Sequence, residues 1–293
     1  MPVLHETTPR QRPDRCPGVT RPWVADDGAL VRVRLVAGLL GVEALASLVA
    51  LSAAHGDSDL HLTKRANVQI RAVPYVDEKL PDGFVDVVRD AGLLPSTSHE
   101  LVRNVMVSPL SGRIGGRADL RSVAHDLDRL LLGDPACATL AGRFLFTLDD
   151  GRGDLVGRTS DLTAVALDDR TVQVRAGSDQ WGPVVAVDET ARALHTLTKR
   201  FLDLRGDGPT AAWHVDELSS PLLSDARDDR SRVTSGRPSY GRHPQDDGRV
   251  AEHVDVPDGV LSPDLAAEVL AGAGTEVVVT PWRSLLLPDL EAW

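Results

Sequence analysis

Leu62-Thr63-Lys64-Arg65-Ala66-Asn67-Val68-Gln69-Ile70-Arg71 alternates in polarity. Thr63, Arg65, Asn67, Gln69 and Arg71 are polar and Leu62, Ala66, Val68 and Ile70 apolar, with Lys64 the one exception. Successive side chains of a strand point to opposite faces, so the spacing predicts a strand over residues 60–73 with five hydrogen-bonding groups above an apolar back. The row contains no acidic residue. Guanidinium groups beside amides suit an anionic ligand, because Arg grips carboxylate or phosphate through a planar two-point fork. An ordinary solvated sheet face would show the same alternation.

Working outward, Leu30, Val31, Val33 and Leu35 predict a strand over 29–35, followed by a turn at Gly38. Val42, Leu45, Leu48 and Val49 then share one face of a helix over 42–55, ended by His55-Gly56-Asp57. Residues 35–54 are long enough to cross a bilayer, but Glu43, Gly38, Gly41 and two serines favour strand, turn and helix. Downstream, a short helix is expected over 84–91, and Thr97-Ser98-His99-Glu100 fits a capping box ahead of Leu101. Gly112, Gly115 and Gly116 among Arg113 and Arg117 read as a turn or as an anion loop. Asp119 is placed to cap a helix through Leu120, Val123, Ala124, Leu127, Leu130 and Leu131. Strands over 144–148, 161–167 and 171–175, turned at Asp149-Asp150-Gly151 and Asp168-Asp169, predict an antiparallel meander, closed by a helix over 189–204.

Residues 219–249 are rich in Asp, Arg, Ser, Gly and Pro and read as a mobile linker or long surface loop. Ser262 and Pro263 start a helix over 265–271, and residues 276–287 form a strand carrying Thr280-Pro281-Trp282-Arg283. The end of the chain echoes its beginning. Gly28-Ala29-Leu30, a helix and Leu62-Thr63-Lys64-Arg65 are matched by Gly259-Val260-Leu261, a helix and Val279-Thr280-Pro281-Trp282-Arg283.

With 293 residues, 32 basic and 43 acidic side chains, the net charge of −11 excludes a broadly basic nucleic-acid binder. The two cysteines, Cys16 and Cys137, cannot staple a small secreted scaffold, and a reduced, cytoplasmic protein is expected. No secretory signal and no membrane span are expected. Residues 149–154 resemble a calcium loop, but its twelfth position is Ser160, which favours a hairpin turn. The nine histidines show no metal-ligand spacing, and Cys137 reads as a buried small hydrophobe.

The 62–71 stretch resembles the ferredoxin-like half-domain of the nitrite and sulfite reductase superfamily, in which a Thr-x-Arg-x-x-x-Gln strand contacts siroheme. Arg103-Asn104-Val105 resembles a second Arg-bearing motif of that family. Residues 140–145 resemble the start of its central domain, where two lysines flank a Phe; this chain has Arg143 and Leu145 instead. Cys16-Pro17-Gly18, residues 27–34 and Thr280-Pro281-Trp282-Arg283-Ser284-Leu285 are most similar to the precorrin-3B synthases. The resemblance implies an α+β fold with two ferredoxin-like half-domains (21–92 and 251–293) flanking a central α+β domain with an antiparallel or mixed sheet (93–210). It leaves a tail at 1–20 and a linker at 211–250.

It further implies an oxidoreductase that hydroxylates precorrin-3A with dioxygen and forms a lactone. A 4Fe-4S cluster and siroheme or other iron are implied as cofactors, and an electron donor or cluster-bearing chain as partner. The family's cluster cysteines lie beyond the Thr-Pro-Trp-Arg strand and have no counterpart in this sequence. A truncated or split form is therefore expected, with a noncatalytic tetrapyrrole-binding module and a sulfite or nitrite reductase fragment as alternatives. Arg65, Asn67, Gln69, Arg71, Arg103, Asn104, Arg143 and Arg283 would bind the carboxylates of an anionic, precorrin-type tetrapyrrole.

Overall fold

The computed structural model describes residues 14–234 and 236–292, so most of the tail expected at 1–20 lies outside the described residues. In chain order the elements are β1 (Trp23–Ala25), β2 (Gly28–Val33), β3 (Leu39–Gly41), α1 (Val42–His55), β4 (Leu60–Leu62), β5 (Val68–Val73), α2 (Phe84–Asp90), β6 (Val105–Val107), α3 (Arg121–Gly133), β7 (Phe146–Asp149), β8 (Leu162–Ala166), β9 (Thr171–Ala176) and β10 (Gln180–Ala186). There follow α4 (Thr190–Leu204), β11 (Gly241–Pro244), β12 (Val250–Val254), β13 (Val260–Leu261), α5 (Pro263–Gly272), β14 (Glu276–Val279) and β15 (Leu285–Leu290). The strands form three five-stranded sheets, two antiparallel and one mixed, giving an α+β protein. Two compact units result, one from Cys16–Leu101 with the chain from Arg237 onward, the other from Val102–Gly236.

The first unit is a structural repeat. Its sheets are ordered β1-β2-β5-β4-β13 and β11-β12-β15-β14-β3. Four strands of each sheet come from one half, and the fifth is lent by the other: β13 pairs with β4, and β3 with β14. A tight turn precedes each lent strand, Val36–Gly38 in one half and Pro257–Gly259 in the other, with left-handed φ at Ala37 (58°) and Gly38 (70°), and at Asp258 (54°) and Gly259 (71°). A Cβ on Gly38 would overlap the Val279 carbonyl oxygen, so glycine is required there. Leu45, Leu48 and Leu51 of α1, Val31 and Val33 of β2, Val68 and Ile70 of β5, Val269 of α5 and Val277 of β14 share one buried core.

The structure departs from several of the expectations. Residues 60–73 and 276–287 are each a hairpin, because Thr63–Asn67 and Thr280–Ser284 close into loops. The repeat is in a different register: Gly259-Val260-Leu261 matches Gly38-Leu39-Leu40, and the counterpart of β2 in the second half is β12. The expected linker therefore contains β11 and reaches into β12, both paired in the second sheet. Nor is its earlier part a free tether, since Gln173 Nε2 donates to Ala226 O (2.8 Å) and Gln173 Oε1 accepts from Asp228 N (2.9 Å). Residues 97–100 start no helix; the Glu100 carboxylate instead accepts from Val19 N (2.6 Å) and from Thr20 N and Oγ1. The expected helices over 42–55, 189–204 and 265–271 correspond to α1, α4 and α5, and Ser262 caps α5.

In the second unit the sheet runs β10-β9-β8-β7-β6. Phe144, Phe146 and Phe201 cluster in its core, with ring centroids 5.2 and 5.0 Å apart. The expected meander is wrong at β7–β8, which are parallel, as are β6–β7. Parallel neighbours need a crossover of about a dozen residues, and the 150–161 loop supplies it in place of a hairpin turn. Asp149 organises that loop. Its Oδ1 accepts from Gly151 N (3.0 Å) and Gly153 N (2.8 Å), and its Oδ2 from Leu155 N (2.8 Å) and Val156 N (2.9 Å). The glycines at 112 and 116 form no anion loop, since a Cβ on either would overlap the carboxylate of Asp119 or Asp150 respectively.

Charge-assisted hydrogen bonds contribute about 1.5–3 kcal/mol each, and four converge on one buried carboxylate. Asp149→Ala is expected to cost at least about 3 kcal/mol in urea unfolding, with hydrogen exchange at Leu155 and Val156 accelerated ahead of global opening.

Candidate functional site

The two hairpin loops of the repeat are held by the same device. Thr63 Oγ1 accepts from Arg65 N (3.3 Å) and Asn67 N (3.1 Å), and Thr63 N donates to Asn67 O (2.9 Å). Thr280 Oγ1 accepts from Trp282 N and Ser284 N (both 3.2 Å), and Thr280 N donates to Ser284 O (2.9 Å). A hydroxyl bonding backbone two and four residues ahead fixes a loop that a strand could not adopt. Left-handed φ falls at Ala66 (55°) and Arg283 (62°). Arg65 therefore corresponds to Trp282, and Arg283 to Ala66, so Arg283 is not the second copy of Arg65.

The halves differ in what fills the loop. In the second, Ser284 Oγ lies 2.7 Å from His253 Nε2 and 2.6 Å from Thr280 Oγ1, a closed and buried network. In the first, Asn67 Oδ1 accepts from Leu35 N (2.9 Å), while its buried Nδ2 has no hydrogen-bond partner among the described residues. An unsatisfied buried amide donor costs about 1–3 kcal/mol, which marks the first hairpin as the one built toward something else.

Beside it lies a concentration of positive charge. Across β4, β5 and β2 the register aligns His61, Gln69 and Arg32, and the Gln69 side-chain oxygen accepts from Arg32 Nη2 (2.7 Å) and Nε (3.1 Å). Arg34 Nη1 donates to Pro17 O (3.0 Å), and Arg32 N to Gly18 O (3.3 Å), so Cys16-Pro17-Gly18 lies against this arginine pair. Burial lowers the pKa of Arg32, with Cys16 opposing and Arg65 adding to the shift. Burial, followed by the Arg32 charge, pulls Arg34 down to about 10, with Arg65 contributing in the same direction and Cys16 and Glu100 opposing. A guanidinium whose pKa is lowered by neighbouring cations is relieved by an added anion.

Of the expected site residues, Arg65, Asn67 and Gln69 come together at this hairpin with Arg32 and Arg34, while Arg71 and Arg283 are exposed. In the second unit Arg103 is committed to a two-point ion pair with Asp128 (Nε–Oδ1 2.7 Å, Nη2–Oδ2 2.9 Å). Asn104 Nδ2 donates to Gly142 O (3.0 Å) and Phe144 O (3.1 Å), so both side chains already hold partners within the second unit. Arg143 is exposed, whereas Leu145 is buried against Met106 and Leu155. Arg32 and Arg34 were not among the expected ligands; their two-residue spacing in Val31-Arg32-Val33-Arg34 is the signal that marks them. Also unanticipated is a buried row across β7, β8 and β9. There Thr147 Oγ1 lies 2.9 Å from Thr163 Oγ1, to which Arg175 Nη2 donates (3.2 Å).

Residues 25–79 match the family model of the nitrite/sulfite reductase ferredoxin-like half domain. The fold is similar to the solved structure of the Mycobacterium tuberculosis NirA protein, with a TM-score of 0.71 and 18% identity over 97% of this chain. This chain spans 58% of the length of that one. A search of curated proteins found no match. The family implies siroheme and an iron–sulfur cluster. A 4Fe-4S cluster takes four thiolates, and Cys16 and Cys137, in different units, do not make a ligand set. The guanidinium cluster and the orphaned Asn67 amide do fit the anionic rim of a tetrapyrrole. Among the described residues, no helix is long and apolar enough to cross a membrane.

Asp154, at the loop of the second unit, is pushed up to about 7, chiefly by burial; Ser108 Oγ–H, which donates to it at 2.6 Å, and Arg152 oppose, and the Asp149 and Asp150 charges add. The folded protein thus holds a proton between about pH 4 and 7 that the unfolded chain releases, and this group favours folding more as pH falls through that window. Asp154→Asn is expected to be more stable than the parent at pH 8 by about 2 kcal/mol, with the difference shrinking toward pH 4 in parallel denaturant titrations.

Proposed function

We propose that this chain binds a carboxylate-rimmed tetrapyrrole of the precorrin type, as a precorrin-3B-synthase-like protein. The observation that carries the reading is the gathering of Arg32, Arg34 and Arg65, with the pKa of Arg32 and Arg34 lowered by burial and by neighbouring guanidinium charge, beside the unpartnered Asn67 amide. A net negative protein binds a polyanion when its site is locally positive, and Arg32, Arg34 and Arg65 gather at this hairpin. Arg65 and Arg32 would grip the acidic side chains of the ring. Asn67 would supply a neutral donor, and Gln69 would hold the Arg32 fork in place. When bound, the macrocycle supplies the conjugated ring and any central iron at which redox chemistry occurs.

Oxygen-dependent hydroxylation and lactone formation on precorrin-3A is the activity we attach to this binding. The electrons for it would come from a partner chain, because this sequence holds no cluster ligand set. The sulfite or nitrite reductase reading is disfavoured at Leu145: where the family places a lysine, this chain has an apolar residue buried with Met106 and Leu155.

Titration with uroporphyrin, followed by absorbance and fluorescence, tests the reading. Losing one charge-assisted contact costs about 1.5–3 kcal/mol, so Arg65→Ala and Arg32→Ala should each weaken binding roughly ten- to hundredfold. Arg103→Ala should leave Kd unchanged while lowering Tm. If the Arg65 and Arg32 variants both bind like the parent, this surface is not the ligand site.

A further inference from the structure

Away from the hairpin, in the Val102–Gly236 unit, three different metal-ligating side chains converge. Asp134 ends α3 and caps the short 3-10 turn Pro135–Thr139 by accepting from Ala136 N through Oδ1 (3.1 Å). Cys137 lies three residues on in that turn, its N–H donating to Asp134 O (2.9 Å), and its side chain is fully buried. His195 comes from α4, with Nε2 3.2 Å from Asp134 Oδ2. One ligand atom from each of Asp134, Cys137 and His195 lies within 4.8 Å of the other two.

We propose that Asp134, Cys137 and His195 form a three-ligand site for a borderline-soft divalent cation of the zinc class.

Three features carry the assignment. The donor set mixes thiolate, imidazole and carboxylate, which suits zinc and not the hard, all-oxygen cations. The spacing is also right. Zinc bonds to nitrogen and oxygen of about 2.0–2.2 Å place tetrahedral neighbours about 3.4 Å apart, close to the separation found between His195 and Asp134. Finally, His195 Nε2 is buried yet makes no hydrogen bond among the described residues, even with a carboxylate oxygen at 3.2 Å, so that oxygen lies off the ring nitrogen's axis. Two ligands of one ion stand in this relation, side by side and without a hydrogen bond between them.

The other carboxylate clusters do not compete. Asp149 in the Asp149–Asp150–Asp154 group already accepts four backbone N–H bonds, and Asp150 is paired with Arg152. In the Asp57–Asp59–His61 group, His61 Nε2 already bonds Asp57 Oδ2 at 2.8 Å. Lys199 Nζ, 3.3 Å from Asp134 Oδ2, is more than half exposed, and its flexible stem lets it withdraw when a cation arrives. Binding turns the Cys137 thiol into a thiolate and releases one proton to solvent. The ion would tie the turn after α3 to α4 and leave one coordination position for water.

The test is titration of the full chain with Co2+ and with Zn2+. One Co2+ per chain is expected, with a thiolate-to-cobalt charge-transfer band and tetrahedral d–d bands, displaced by Zn2+. Saturating zinc should raise Tm by a few degrees. Cys137→Ser should abolish the sulfur band, and His195→Gln should weaken binding at least tenfold, whereas Cys16→Ser should change neither. Absence of a sulfur charge-transfer band in the parent protein overturns the proposal without any variant having to fold. So does binding that Cys137→Ser and His195→Gln leave unchanged.

Discussion

The repeat unit rests on an exchange of strands. Leu39–Gly41 completes the sheet built by the second half, and Val260–Leu261 completes the sheet built by the first. Neither sheet has all five strands from its own half. The exchange is possible because the chain reverses sharply just before each lent strand, at Ala37-Gly38 and Asp258-Gly259. Close approach of Gly38 to the Val279 carbonyl leaves no room for a side chain. Packing of both helices and both sheets into one apolar cluster follows from that crossing, and the cluster fixes the two hairpin loops at the strand ends.

Against this shared frame the halves have diverged at their loops. The second is sealed by His253, Ser284 and Thr280, whose polar atoms satisfy one another in the interior. The first keeps Arg32, Arg34 and Arg65 within one another's field and leaves an amide unpaired. Such an arrangement is unfavourable for folding alone, and functional sites are where a fold tolerates that kind of cost. The two copies of the repeat thus differ in whether their loop polar groups are satisfied from within.

The elements with strong periodicity were legible. Leu45 and Leu48 predict α1, and Leu194, Leu197 and Phe201 predict α4, because an amphipathic stripe records its own burial. The repeat was also readable in outline, but its register was not. Thr63 and Thr280 turn the backbone with their hydroxyls, and a side chain that bonds its own backbone looks, in sequence, like one more polar residue in an alternating strand. The parallel pairing of β7 and β8 was hidden for a related reason. Asp149-Asp150-Gly151 has hairpin composition, yet Asp149 gathers four N–H groups of a much longer crossover. At the candidate site, Arg65, Asn67 and Gln69 could be read from one continuous stretch, whereas the ion pair of Arg103 with Asp128 could not, because Asp128 lies on another element.

The exchanged strands also set an order of assembly. During synthesis the N-terminal half emerges with Leu60–Leu62 lacking its outer neighbour, and Leu39–Gly41 has no sheet to join until Glu276–Val279 has been made. The intervening 102–236 segment, whose sheet draws only on its own strands, can fold in the interval. An unpaired strand edge is exposed to the wrong partner for as long as that interval lasts. Translation speed through the middle of the message, and any chaperone that shields a bare edge, therefore bear on yield more strongly than they would for a protein whose halves close independently.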